Sequence, residues 1–184
     1  VPSSVVTSIV GDGFYRLYLV TKNQKYLDIC EKICVFFMEN LTITHGSDTS
    51  SSICYSYTPL DDYQVHNANL FVGEFLIRVG KITDQQKLID QGARCANFAL
   101  EEQTQEGFIP YWGLSQTEKY SHGRLHTDHY HCGFEIRSLH SIWLNTDISA
   151  FHDAFKKYLK WYQDNMYSMD GIPKYNADSI YPYN

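Results

Sequence analysis

The stretch FYRLYLVTKNQKYLDICEKICVFF (14–37) decides how the chain is read. Its pattern returns twice, as LIRVGKITDQQKLIDQGARCANFA (76–99) and as LHSIWLNTDISAFHDAFKKYLKWY (139–162). Aligned on Thr21, Thr83 and Thr146, the copies lie about 60 residues apart. Large apolar residues follow at matching places: Tyr26, Leu88 and Phe151, then Phe36, Phe98 and Trp161. Asp28, Asp90 and Asp153 fall between them. One such match would carry little; several in register across three copies define an internal repeat.

Each copy reads as a helical hairpin. In the third, Phe151, Ala154, Phe155, Tyr158 and Tyr162 form a stripe at helical spacing, and Lys156, Lys157 and Lys160 take the other side. Leu88, Gly92, Cys95, Ala96 and Ala99 form the same stripe in the middle copy. These one-sided segments are outer helices. The segment before each threonine is apolar nearly all round, as in ANLFVGEFLIRV (68–79), the pattern of a helix covered on both sides. The expected architecture is all-α, with inner helices near 4–20, 64–81 and 129–145 and outer helices near 24–39, 85–104 and 149–165. The hairpins span about 1–42, 62–105 and 127–167 of a single domain, 1–184.

An aromatic loop follows each outer helix: CYSYTPLDDY (54–63), GFIPYW (107–112) and GIPKY (171–175). Ordinary connections run to about 4–6 residues, and loops longer than that are functional or disordered. Their tyrosine and tryptophan content argues against disorder. The sequence stops at YPYN (181–184), where a fourth inner helix is expected to begin. The three hairpins are therefore read as an incomplete ring whose apolar edge needs cover.

Composition narrows the function. With 43% hydrophobic and 15% aromatic residues, the chain can bury a core. A net charge of −6 with no basic run argues against nucleic acid as a partner. No apolar run approaches the roughly 20 residues of a membrane span. The opening VPSSVVTSIVGDGF lacks a signal-peptide pattern and an initiating Met, so the chain is expected to be a processed or excerpted piece. Five cysteines without repeated spacing argue against a disulfide framework, and a reducing, cytoplasmic setting is expected.

FYRLYLVTKNQKYLD (14–28), YSYTPLDDYQVHNANL (55–70), DHYHCGFEI (128–136) and DGIPKYNADSIYP (170–182) together resemble bacterial proteins encoded with capsule, lipopolysaccharide and exopolysaccharide biosynthesis genes. The resemblance covers nearly the whole chain. It implies an α/α toroid of the six-hairpin type, shared with glycosidases, polysaccharide lyases and terpene-cyclase-like proteins. It also implies a sugar-polymer context, with a lipid-linked glycan and other polysaccharide-assembly proteins as candidate partners. Members often have no defined activity, so the resemblance names no reaction. DHYHCGF (128–134) departs from the DNFHTGF commoner in the family, which puts any carry-over at Cys132 in doubt.

The repeat supplies its own control, since a polar residue replacing apolar ones in one copy is a candidate for chemistry. His131 stands where the other copies have Val6 and Ala68, Glu135 where they have Val10 and Val72, and Asp128 where they have Ser3 and Val65. Asp128, His131 and Glu135 share one helix face. They form the candidate catalytic set, with His131 moving a proton and Glu135 holding its tautomer. Asp128 also reads as an ordinary N-cap and His131 as a core histidine, and both readings stand beside the catalytic one. Asn67, opposite Val5 and Tyr130, is a second polar intrusion. His66, Asn67, Tyr130 and His131 match toroidal polysaccharide lyases in residue type only. Asp62 is read as a cap for the middle inner helix. Tyr55, Tyr57, Tyr111, Trp112 and Tyr175 are candidates for stacking on sugar faces, or for a protein interface. By contrast Asp12 with Arg16, and Glu74 with Arg78, are acid–base pairs one turn apart at equivalent places and read as struts.

His126, Asp128, His131 and Cys132 have the residue types of a zinc site, but His131 and Cys132 diverge by about 100° around a helix. No metal and no cofactor is assigned. Two functions remain: an enzyme using acid/base chemistry on a glycan (lyase, epimerase or hydrolase), and a carbohydrate-binding or scaffold protein without turnover.

Overall fold

A computed structural model describes residues 1–47 and 51–179. The inner helices are α1 (Ser4–Thr21), α3 (His66–Thr83) and α6 (His129–Thr146); the outer ones are α2 (Gln24–Asn40), α4 (Gln86–Glu101) and α7 (Ser149–Asn165). A short α5 (Thr117–Ser121) follows a 3-10 turn at Leu114–Gln116. These bounds agree with the expected ones to within three residues at every helix end. YPYN, where a fourth helix is expected, lies outside the described residues.

The repeat-anchoring threonines explain the hairpins. Each is the last residue of an inner helix and turns its hydroxyl back to the carbonyl one turn earlier: Thr21 to Leu17 (2.7 Å), Thr83 to Val79 (2.8 Å), Thr146 to Ile142 (2.9 Å). The next residue, Lys22, Asp84 or Asp147, is left-handed (φ 54°, 54° and 57°). Its N–H caps the carbonyl of Tyr18, Gly80 or Trp143. The left-handed cap ends one helix and aims the chain back along it.

Inner helices neighbour one another in the order α1, α3, α6, and each outer helix packs on its own inner partner. This is an arc of an α/α toroid with three hairpins. Helix α3 sits in the middle, and fourteen of its eighteen residues are buried. Its approach to α4 depends on Gly73 and Gly92. A Cβ on Gly92 would lie 2.5 Å from the Gly73 carbonyl, and one on Gly73 would lie 2.8 Å from the Cys95 Cβ. Two cores flank α3. One gathers Leu27, Phe37, Tyr55, Val72, Phe75 and Leu88; the other gathers Leu70, Ile77, Cys132, Leu139, Phe151 and Trp161.

Helix α1 has no preceding hairpin among the described residues. It exposes Val6, Ile9, Val10 and Val20, whereas their equivalents on α3 (Ala68, Phe71, Val72, Ile82) are buried or half-buried. No helix among the described residues is long and apolar enough to cross a membrane.

Two expectations need correction. The first loop contains an antiparallel pair, β1 (Ile43–His45) with β2 (Ile53–Tyr55), which the helical repeat did not foretell. β2 packs against α3 and α4 with Ile53 and Tyr55 in the core, and Asn69 fastens it by accepting from the Tyr55 N–H (3.0 Å) and donating to the Ile53 carbonyl (2.9 Å). Asp62 does not cap α3, which starts at His66 with Val65 as N-cap and no side-chain cap bond. The neighbouring Asp61 spends its carboxylate inside the loop, on the Tyr57 and Tyr63 N–H groups and the Thr58 hydroxyl.

The Gly73–Gly92 contact yields a test. Gly92→Ala forces a methyl into the facing backbone, and we expect it to lower stability by about 1–3 kcal/mol in chemical denaturation. Gly13→Ala, where a Cβ meets nothing within 4 Å, should be neutral or mildly stabilising.

Candidate functional site

The three aromatic loops return to the N-termini of their own inner helices. The Tyr57 carbonyl accepts from the Ser4 N–H (2.8 Å), that of Tyr111 from His66 (3.2 Å), and that of Tyr175 from His129 (2.9 Å). Three tyrosines are thereby fixed at one end of the arc by their backbones, satisfying donors that a helix start leaves open. Their side chains differ: Tyr57 and Tyr111 are half-buried and Tyr175 is exposed.

At this end Asp128 begins α6. Its Oδ1 accepts from the N–H groups of Tyr130 (3.0 Å) and His131 (3.1 Å), which makes it a cap. Its Oδ2 lies 2.6 Å from His131 Nδ1. Burial alone would raise the Asp128 carboxyl, but the bonds from the His131 side chain and backbone bring it below the usual carboxylate range. An ionised Asp128 accepts a hydrogen bond from Nδ1–H, so that in the neutral ring the lone pair sits on Nε2. Both side chains are partly open, His131 at 28% and Asp128 at 20%. Tyr111 meets the His131 ring edge-on at 4.7 Å.

Glu135 is placed elsewhere, and its expected role is corrected. It is fully buried, and its Oε2 accepts from the Tyr158 hydroxyl at 2.6 Å. Its Oε1 has no partner. The helix face shared with His131 is covered by α7 one turn further in, so Glu135 enters the core between α6 and α7. Asp128, not Glu135, fixes the His131 tautomer. Burial holds the Glu135 carboxyl well above its ordinary range, which favours its protonated form.

The remaining candidates divide by burial. Tyr55 is a core residue, 1% exposed, because β2 turns it inward. His66 is fully buried, with Nε2 2.8 Å from Glu102 and its ring tilted on Phe98. Asn67 is 4% exposed with no partner for Oδ1. These three do not reach the surface where Asp128 and His131 lie. Tyr130 is exposed on the first turn of α6, and Asp62 is exposed on its loop, its carbonyl held by Gln116.

Trp112 is half-buried and belongs to a larger aromatic group than the sequence suggested. It stacks on Tyr120 (4.6 Å, 25° between planes) and meets Tyr63 and Tyr111 edge-on at 5.7 and 5.1 Å. Tyr63 and Tyr120 were not among the candidates. Tyr63 ends the first aromatic loop and was open to detection there. Tyr120 sits on α5, which breaks the repeat and leaves no pattern to compare.

Cys132 points into the core, 3.6 Å from the Thr127 hydroxyl, and burial pushes its thiol up to about 12. Among the described residues no three His, Cys, Asp or Glu side chains are placed to hold a metal ion.

No protein-family model and no curated protein matches the chain. Solved structures do. The chain is similar to the cellobiose 2-epimerase of Bacillus thermoamylovorans, with TM-score 0.70, 12% identity, and coverage of 91% of this chain and 46% of that one. It is similar to D-mannose isomerase (TM-score 0.68, 11% identity, 95% and 46% covered). It is also similar to a GH76 α-mannanase from Bacteroides thetaiotaomicron (TM-score 0.67, 15% identity, 91% and 46% covered). The chain has the fold of these six-hairpin toroids. It spans about half their length.

The Glu135 assignment gives a sign. A carboxyl whose folded pKa is raised binds its proton more tightly folded than unfolded. Stability therefore falls as pH rises above the ordinary carboxyl range, until the folded group itself ionises. Glu135→Gln keeps an acceptor for Tyr158 and cannot ionise. We expect it to raise the unfolding midpoint at pH 7 and to flatten the loss of stability between pH 5 and 8, read by denaturation at each pH.

Proposed function

We propose that the chain binds a glycan across the N-terminal ends of its inner helices and processes it by acid/base chemistry, with His131 as the proton-transfer group. One observation carries this reading: the 2.6 Å bond from Asp128 to His131 Nδ1, which leaves Nε2 available at a partly open, aromatic-lined surface. Asp128 acts as a positioning residue and Tyr111 walls the imidazole. A base that removes a proton from a sugar carbon suits an epimerase or lyase. A hydrolase that uses two carboxylates is disfavoured, because Glu135 is spent in the core. The toroids it is similar to include an epimerase, an isomerase and a mannanase, which supports carbohydrate processing in general. The resemblance of the sequence motifs supports a place in capsule, lipopolysaccharide or exopolysaccharide biosynthesis, in the cytoplasm. A lipid-linked oligosaccharide would be the substrate there, and other polysaccharide-assembly proteins the partners.

The second reading is a carbohydrate-binding or scaffold protein without turnover. The burial of Glu135 favours it, since Asp128 and His131 then lack the third member expected of the site.

One experiment separates the two. The protein is incubated in D2O with manno- and gluco-oligosaccharides, and deuterium incorporation and product formation are followed by NMR. We expect wild-type exchange at a sugar carbon and a loss of about 10²-fold or more in His131→Ala, with helical content unchanged. Asp128→Asn should lower the rate less and shift its pH profile. Tight oligosaccharide binding with no exchange, unaffected by either change, would establish the binder instead.

A further inference from the structure

The inner helices share a second feature, away from Asp128. Their common face carries a groove of about 260 Å3 contributed by α1, α3 and α6. Phe71, Phe75 and Phe134 give it apolar walls. Its polar side holds the ion pairs read from the sequence as struts, which do form within single helices (Asp12 with Arg16 at 2.6 Å, Glu74 with Arg78 at 3.6 Å), and further pairs that run between helices. Arg78 donates to Asp12 on α1 (2.5 Å), Arg137 on α6 donates to Glu74 on α3 (3.1 Å), and Arg78 lies 3.6 Å from Glu74. Ser8 also lines the groove. Its residue is 5% exposed, and its hydroxyl has no hydrogen-bond partner. Leaving such a group unmet is unfavourable, and a ligand hydroxyl would relieve it.

We infer that this groove holds the terminal unit of a glycan chain, an uncharged pyranose. Three observations point there. The volume lies below the ~300–1,000 Å3 of pockets that enclose drug-sized ligands, so it admits one sugar ring and not a chain. The lining itself holds two guanidinium groups and two carboxylates, with Arg16 bonded to Asp12 from the solvent side, so donors and acceptors for hydroxyls abound and the groove walls are balanced in charge. Phenylalanine rings offer flat surface to the C–H face of a pyranose.

The position of His131 extends this to the chain. Its ring lies 6.2 Å from Phe134 of the groove and 4.7 Å from Tyr111 on its other side. From Tyr111 the rings continue to Trp112 (5.1 Å) and Tyr120 (4.6 Å). His131 thus stands between a compartment for one ring and an aromatic strip for several. A glycan bound by its end puts the terminal unit in the groove, the first linkage at His131, and later units along Tyr111, Trp112 and Tyr120. This inference rests on the reading of His131 as the proton-transfer group and adds chain-end selection to it.

The test is calorimetric titration of the full chain with manno- and gluco-oligosaccharides of one to six units. Two further ligands are hexamers whose terminal unit is oxidised to a uronate and long polymer with few ends. We expect affinity to grow with length and then level off, the uronate-ended hexamer to bind no tighter, and polymer to bind in proportion to its ends. Ser8→Ala should weaken every length by the same factor, about three- to tenfold. Trp112→Ala should spare the single sugar and weaken the longer ones about tenfold. Melting temperatures of both variants control for folding. Unchanged affinities in Ser8→Ala, equal losses at all lengths in Trp112→Ala, or polymer binding in proportion to total units would each overturn the inference. If His131→Ala abolishes exchange while these signatures fail, chain-end selection alone falls. If wild type binds no oligosaccharide, the functional reading falls with it.

Discussion

Helix α3 must be buried on nearly every side, and the rest of the arrangement follows from meeting that demand. A helix so apolar is costly to expose, and a single neighbour cannot cover it. It is covered by α1 on one flank, α6 on the other and α4 behind. The closeness of α4 depends on two glycines meeting backbone to backbone, Gly73 and Gly92. With α4 seated that near, the two cores on either side of α3 close at Val72 and Phe75 on one flank and at Leu70 and Ile77 on the other. Polar residues on the remaining face are left to pair across helices, and the alternation of Asp12, Arg78, Glu74 and Arg137 stitches three inner helices together.

The same geometry shapes the end that carries Asp128 and His131. Hairpins joined by left-handed turns at Lys22, Asp84 and Asp147 put all three turns at one end of the arc and all three inner-helix N-termini at the other. Those N-termini need acceptors, and the returning loops supply the carbonyls of Tyr57, Tyr111 and Tyr175. Ser3 caps α1 and Asp128 caps α6 through the side chain of the preceding residue, but Asp128 has a second oxygen left for His131. A structural cap and a histidine-orienting carboxylate are therefore one residue. The two readings of Asp128 do not compete.

Much of this was legible in the letters. The threonine register located the turns, because a helix end and a left-handed residue recur wherever the pattern recurs. Replacement of valine, alanine or serine by Asp128 and His131 in one copy marked the pair that the fold brings to the open end. The pattern misled at Glu135 and Tyr55. Helical spacing tells which residues share a face, but α7 covers that face at Glu135 and leaves it partly open at His131. Tyr55 looked like a rim aromatic because the loop it belongs to gave no sign of folding into a strand with Asn69 beneath it.

The sequence by itself determined the six long helices of the repeat, with their lengths and pairing, since those depend on periodicity and local turn chemistry between residues close along the chain. Tertiary structure decided which polar groups meet: Arg78 with Asp12 across 66 positions, Arg137 with Glu74 across 63, His66 with Glu102 across 36. It also gathered Tyr63, Tyr111, Trp112 and Tyr120 beside His131. Such partners are chosen by how helices and loops approach in space. One sequence read along its length carries no record of that approach, because the energy of each contact belongs to two distant residues at once.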